Sequence, residues 1–431
     1  RAPGGEPTAT QERNARRRVA KRRTREAVEA VAKQDPSLRF LAAPLRAPTV
    51  AAARRFFGAR SHSAAQGACA GAGEAAAGGL PVRLGPSEGW RTEAKLAVRA
   101  GADGPAIGLF EPGSHKVCSI DGCLAHHPAV NRALAHLRAA CRGAGVRGLD
   151  ERTGAGDLRY AKFDVQRSSG KVQLTLVWHA ASEAEAGRPL RRLVRGLLRA
   201  PLWHSIWANF HPAGPSVSRI FAYEEDAWQH LAGEKRLLRE ELADCPVPYK
   251  APRLCFPPYV FRQANLCAFG SIVAAVRRFV APGSRVVELY GGVGTIGLHL
   301  ADLASSLVCS DENPHNARCF RLAAKELPAN LRQRLRYQQG DAASQVGRLA
   351  GADVLVVDPP RKGLDDAVVA ALRPGGPARR LRLVLYVSCG FPALQRDVVR
   401  LEEAGWTVTH AEGFVLFPGA DHLETFCALE R

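Results

Sequence analysis

Val286-Val287-Glu288-Leu289-Tyr290-Gly291-Gly292-Val293-Gly294-Thr295-Ile296-Gly297 reads as a strand, a glycine turn and the start of a helix. Glycines let a backbone turn tightly and let a ligand approach it closely. Gly292-x-Gly294-x-x-Gly297 has the spacing of the dinucleotide fingerprint, and Asp311 follows about 20 residues on, where an acid meets a ribose. Downstream, further strands are expected at 307–311, 336–340, 354–358 and 381–388, after one at 285–290. A helix opened by Pro392 is expected over 392–404, with Leu394, Val398 and Leu401 as its apolar stripe. Strands alternating with helices predict a parallel sheet covered on both faces. The runs 407–417 and 424–429 have no long helix between them and predict an antiparallel closing hairpin.

Upstream, the organisation changes. Residues 86–246 are expected to form a smaller α+β domain. A strand over 90–99, a hairpin of 106–110 with 115–118, and a second hairpin of 160–165 with 171–178 around Ser168-Ser169-Gly170 make its sheet. A helix is expected at 129–141, a basic amphipathic helix at 190–198 and a strand at 205–210. Residues 1–85 are rich in Ala, Arg and Gly and are expected to be a disordered basic extension and linker. The run Arg16-Arg17-Arg18-Val19-Ala20-Lys21-Arg22-Arg23 suits a transit peptide, a nuclear signal or an RNA-binding arm.

Net charge is +19 over 431 residues, of which residues 1–60 supply +10. A chain this basic is expected to meet a polyanion, most simply nucleic acid. No stretch approaches the ~18 apolar residues of a membrane-spanning helix, so no membrane partner is expected. The eleven cysteines are scattered rather than paired in a framework, which predicts a reducing, intracellular compartment, organellar if the extension is a transit peptide. The chain has no methionine and is expected to be processed or part of a longer one. Cys118-x4-Cys123-x2-His126-His127 is metal-like but has no second pair to complete a zinc site. No metal or iron–sulfur cluster is expected.

The glycine turn alone suits NAD or S-adenosylmethionine. Glu288 favours the second, because a pyrophosphate would be repelled by an acid at that strand end. Asp341, at the end of the third strand, is placed to reach an adenine amino group. Two further stretches carry chemistry. Val357-Asp358-Pro359-Pro360-Arg361-Lys362-Gly363 sets an acid on a rigid ledge at a strand end. Leu385-Tyr386-Val387-Ser388-Cys389-Gly390 brings a thiol to the carboxyl end of the next strand, where open α/β sheets place their ligands. In His422-Leu423-Glu424-Thr425, His422 and Glu424 lie two apart on an extended segment and point to one side. A thiol nucleophile and a carboxylate base beside a methyl donor suit methylation of an unreactive ring carbon. Such a thiol is expected to need a depressed pKa, supplied by Arg361 or Lys362.

At these residues the sequence resembles the RNA uracil-5-methyltransferases that act on tRNA or ribosomal RNA, over roughly residues 90–431. The resemblance implies a Rossmann-like class I methyltransferase domain over 247–431 preceded by a central RNA-binding domain. In Phe261-Arg262-Gln263-Ala264-Asn265 it implies a donor contact for Gln263. Tyr290, Gly292, Gly294 and Thr295 would line the donor, Asp311 its ribose and Asp341 its adenine side. Cys389 would be the nucleophile, Glu424 the base and Asp358 a lining residue of the site. A monomer acting on RNA is expected. The rival readings are an RNA cytosine-5-methyltransferase, which would carry a cysteine where Asp358-Pro359 stands, an NAD-dependent oxidoreductase, and an RNA-binding protein with a decayed catalytic domain.

Overall fold

A computed structural model describes residues 38–60, 79–212 and 219–431. The basic run at 16–23 and most of the Ala/Gly stretch lie outside these residues. The first described elements are helix α1 (Pro48–Gly58) and strand β1 (Val82–Leu84). The central domain follows. Its sheet comprises β2 (Glu93–Arg99), β3 (Ala106–Phe110), β4 (Val117–Ser119), β5 (Leu158–Val165), β6 (Val172–Trp178), β7 (Trp203–Phe210) and β8 (Trp228–Gly233), in the order β4-β3-β2-β5-β6-β7-β8. Helices α2 (Pro128–Ala144) and α3 (Glu183–Leu197) bury Leu134, Leu137, Leu190 and Leu193 in its core. Neighbouring strands are antiparallel except β6 and β7, which α3 joins as a parallel pair. That crossover needs a dozen or more residues, and α3 supplies them. A short pair, β9 (Arg239–Glu240) with β10 (Leu254–Cys255), leads to the second domain.

There α4 (Leu266–Arg277) precedes β11 (Ser284–Leu289), β12 (Ala304–Asp311), α5 (Asn316–Ala324), β13 (Leu335–Gln339), the short α6 (Ala342–Gln345), β14 (Val354–Val357), β15 (Leu383–Ser388), α7 (Phe391–Glu403), β16 (Thr407–Val415) and β17 (Glu424–Glu430). The sheet order is β1-β16-β17-β15-β14-β11-β12-β13. β15, β14, β11, β12 and β13 are parallel, and β17 runs antiparallel between β15 and β16. β14 is buried throughout, as a parallel strand covered on both faces requires. Two apolar cores, one holding Ile272, Val286 and Leu307 and the other Val287, Val369 and Leu394, fill the two faces.

The structure departs from the sequence reading in three places. The chain after the glycine turn forms only a short 3-10 turn, Gly297–Leu300, not an α-helix. Strand β8 was not expected at all. The third departure corrects the expected extension over 1–85, which is folded in part. Val50, Ala53 and Phe57 of α1 are buried, and the Phe56 and Phe57 rings lie 6.0 and 6.3 Å from Phe391. Arg60 pairs with Glu402 at 2.9 Å. β1 adds a parallel edge strand to β16. Residues 38–60 are thus part of the folded unit, because Val50, Ala53 and Phe57 bury in the core that α7 lines and Leu38 and Leu41 in that of the central domain.

Candidate active site

Order reverses in this sheet at β11, which has β12 on one side and β14 on the other. Ligands of open α/β sheets bind in the crevice outside the carboxyl ends of strands at such a switch. Register carries the argument further. Leu289 pairs with Val357, Val357 with Tyr386, and Ser388 with Thr425. One residue beyond these pairs stand Tyr290, Asp358, Cys389 and Glu424, at the same edge of four adjacent strands. Because β17 is antiparallel, its first residue, Glu424, faces the end of β15.

A cavity at the switch is lined by Gln263, Glu288, Tyr290, Gly292, Thr295 and Asp358, with Phe261 at 64% exposure on its rim. Tyr290 has φ of 58°, the one positive value outside glycine among the described residues. Such strain in a bulky residue persists only where its surroundings over-determine it. Here the Tyr290 hydroxyl donates to Asp365 Oδ2 at 3.0 Å and accepts the Asp365 N–H at 3.1 Å. Beneath the turn, Glu288 is buried and accepts the Gly297 N–H at 3.2 Å on each oxygen. A Cβ on Gly297 would overlap that carboxylate, whereas one on Gly292 would meet nothing. The inner face of the loop is therefore closed and its outer face open to a ligand.

Burial pushes the Glu288 and Asp358 carboxyls up to about 7 each. Among the described residues no Lys or Arg lines the cavity. Two acids held short of a counter-ion fit a cationic ligand such as the sulfonium and ammonium of S-adenosylmethionine, and oppose a pyrophosphate. Gln263 is placed from behind. Arg262 is 1% exposed and pairs with Glu240 at 3.3 Å, Ala264 accepts the Thr92 N–H at 2.8 Å, and Asn265 donates to the Leu416 carbonyl at 2.8 Å.

Asp311 and Asp341 are not among the cavity's lining residues. Asp311 is partly exposed at the end of β12 and accepts the Gly292 N–H at 3.0 Å, with Asn313 and Asn316 on its other oxygen. Asp341 is exposed and caps α6 through the Ser344 N–H at 2.7 Å. Gly294 has φ of 82° and packs on Phe320.

Cys389 is partly buried at the end of β15. Contrary to the expected depressed pKa, burial first, then Glu424 and Asp358, raise its thiol to about 11, with Arg361 opposing them. Lys362 is tied instead to Asp365 at 2.7 Å. Glu424 is 3% exposed, and burial, then Asp358, lift it to about 8. The His422 ring lies 3.9 Å from Glu424 Oε1 and packs on Phe417. Burial, then Arg361, lower it to about 4, so it is neutral. The site thus gathers one thiol and two protonatable carboxyls around one arginine.

Sequence reasoning missed Asp397. It is fully buried in α7 and accepts the Tyr386 hydroxyl at 2.9 Å and the Leu364 N–H at 2.8 Å. Together with the Tyr290–Asp365 pair it fixes the loop after Asp358. An acid inside the stripe Leu394, Val398, Leu401 was the signal. Cys118, Cys123, His126 and His127 gather no metal site, nor does any other His/Cys/Asp/Glu group among the described residues. His127 instead accepts the Ala129 N–H to cap α2. No described helix is long and apolar enough to cross a membrane.

The tRNA (uracil-5-)-methyltransferase family model matches residues 298–431. The chain is 36% identical over 354 residues to an uncharacterised RNA methyltransferase of Protochlamydia amoebophila, covering 81% of this chain and 88% of that protein. It is 29% identical over 360 residues to a 23S rRNA (uracil(1939)-C(5))-methyltransferase of Chromohalobacter salexigens, covering 82% of this chain and 67% of the relative. The fold is similar to that of a tRNA (uracil-54, C5)-methyltransferase of Pyrococcus abyssi solved with S-adenosyl-L-homocysteine. There the TM-score is 0.63 at 21% identity, over 81% of this chain and 79% of that one. The NAD-dependent and cytosine-5 readings fall away, and the chain belongs to the tRNA (uracil-5-)-methyltransferase family of RNA methyltransferases.

Proposed function

We propose that the protein methylates C5 of a uridine in tRNA or ribosomal RNA, with S-adenosylmethionine as the donor. The observation that carries the reading is the alignment of Tyr290, Asp358, Cys389 and Glu424 at the ends of four adjacent strands, beside a cavity lined by acids and no cation. Uracil C5 is too weak a nucleophile to take a methyl group unaided. Cys389 adds its Sγ to C6, which makes the ring an enolate. C5 then takes the methyl group as the donor's sulfur–methyl bond breaks and S-adenosylhomocysteine leaves, Glu424 removes the C5 proton, and Sγ departs as the C5–C6 double bond re-forms. S-adenosylmethionine supplies the methyl group and a positive charge beside the carboxyls.

That charge bears on the thiol. With a cation in the cavity, Glu424 and Asp358 are driven towards their ionised forms, and a neighbouring carboxylate can take the thiol proton as sulfur attacks. His422, neutral and against Glu424, orients the base. Gln263 and the strained Tyr290 hold the donor, Asp311 its ribose through the glycine turn, and Asp341 the adenine side. Arg188, Arg191, Arg192, Arg195 and Arg199 are exposed on or just past α3 and give phosphate contacts that position without specifying. The uridine leaves its stack to reach Cys389.

The test is incubation with donor labelled in the methyl group and unmodified total RNA, followed by nucleoside analysis and mapping. Label in 5-methyluridine is expected. Label in 5-methylcytidine or in a base amino group would overturn the reading.

A further inference from the structure

A cleft separate from the donor cavity opens between the two domains. Its central-domain wall is the β5–β6 turn, with Lys171, and the segment after β8, with Lys235 and Arg236. Its other wall is Arg253 and one face of α5, with Arg318. Six Lys and Arg line it against two carboxylates. One of those, Glu326, is spent: Arg239 and Arg253 both bind it, the latter at 2.8 Å. Lys171, Lys235, Arg236 and Arg318 are exposed and take part in no ion pair among the described residues.

Like charges gathered on a concave surface repel one another and focus the field into the cleft, raising the local concentration of an anion. The ligand class follows from the rest of the lining. Among the described residues no Phe, Tyr or Trp lines the cleft, and His204 is buried, so no aromatic ring offers a face on which a base can stack. Ammonium groups and guanidinium forks instead match phosphate oxygens. The cations come from both domains, so a continuous polyanion bridges them where a single small anion reaches one wall.

We infer that this cleft is a second RNA-contact site, which holds the phosphodiester backbone of the substrate while the reacting uridine occupies the site at Cys389. The inference rests on the RNA-methylating reading above. Its contacts are blind to sequence, so it contributes affinity and register and leaves the choice of base to the active site.

The test is the variant Lys235→Gln, Arg236→Gln, Arg318→Gln in the full chain. Binding to unmodified total RNA is measured between about 50 and 200 mM salt. Removing three phosphate contacts should lower the slope of log Kobs against log salt by about 2 to 3, since each contributes ~0.7 to 0.9. Affinity at the lower salt should fall by about 10-fold or more. S-adenosylmethionine binding, whose cavity lies elsewhere, reports that the variant is folded. A slope and affinity equal to wild type would overturn the inference. Nucleosides from wild-type reactions are read in parallel. Absence of 5-methyluridine there counts against the proposed reaction, whereas the slope alone decides the cleft.

Discussion

Glu424→Gln is expected to leave the unliganded protein less stable than wild type near pH 5 and more stable than wild type near pH 9, while stopping turnover. The folded protein keeps the Glu424 carboxyl protonated up to about pH 8, against an ordinary value of 4.5. Below 4.5 the group is protonated whether the chain is folded or not. Between 4.5 and 8 unfolding releases its proton, so wild-type stability falls with rising pH, and above 8 the loss is complete. At 1.36 kcal/mol per pKa unit, the interval from pH 5 to pH 8 amounts to about 4 kcal/mol. Glutamine has no such dependence. Its buried amide costs about 1–3 kcal/mol at every pH if it finds no partner. The variant should therefore be the weaker protein near pH 5 and the stronger near pH 9. The difference in thermal midpoint between the two should swing by roughly 10 °C. Thermal melts of both proteins from pH 5 to 9 supply the measurement. A difference that stays constant across the range would refute the burial argument for Glu424. In turnover assays with RNA the same variant should accumulate methylated, Cys389-linked RNA, since attack and methyl transfer precede proton removal. Unchanged turnover would remove Glu424 from the base role.

Asp397→Asn weakens the hold on Tyr386 and Leu364 and should cost about 2–3 kcal/mol, with kcat falling more than donor affinity, read by urea denaturation and steady-state kinetics. Gly297→Ala drives a Cβ into the Glu288 carboxylate and should abolish donor binding, measured by calorimetry, while far-ultraviolet circular dichroism stays near wild type. Phe57→Ala empties a side chain that is 3% exposed and should destabilise the methyltransferase domain by about 3–5 kcal/mol. A negligible change would show that α1 is not part of the core. Arg361→Gln removes the one cation opposing the raised pKa values of Cys389 and Glu424, so the rising limb of the pH–rate profile should move to higher pH.

The parallel sheet was legible because its strands carry short apolar runs, unbroken in β14 and β15, ended by Asp311, Asp358 and Cys389, each a polar residue at a strand's carboxyl end. The closing hairpin was legible from the short spacing between 417 and 424. What the sequence does not state is which strand lies beside which. The β15–β17 register sets Glu424 opposite Cys389, and burial first, then that neighbouring carboxyl, both invisible along the chain, raise the thiol where nearby Arg361 and Lys362 had pointed to lowering it. Helix α1 was hidden by its composition: Val50, Ala53 and Phe57 have helical spacing but stand among alanines and arginines that read as a tail. Asp311 and Asp341 were legible as acids at strand ends. Their engagement with the Gly292 N–H and with the α6 cap depends on loop geometry that spacing alone does not carry.

The central claim is that Cys389 attacks the pyrimidine ring and is later released. RNA carrying 5-fluorouridine tests it most directly, because fluorine cannot leave as a proton and the thioether to C6 is trapped. Incubation with S-adenosylmethionine should give a denaturation-resistant protein–RNA adduct with wild type and none with Cys389→Ala. An adduct that persists in Cys389→Ala, or its absence from wild-type protein that still forms 5-methyluridine, would contradict the account.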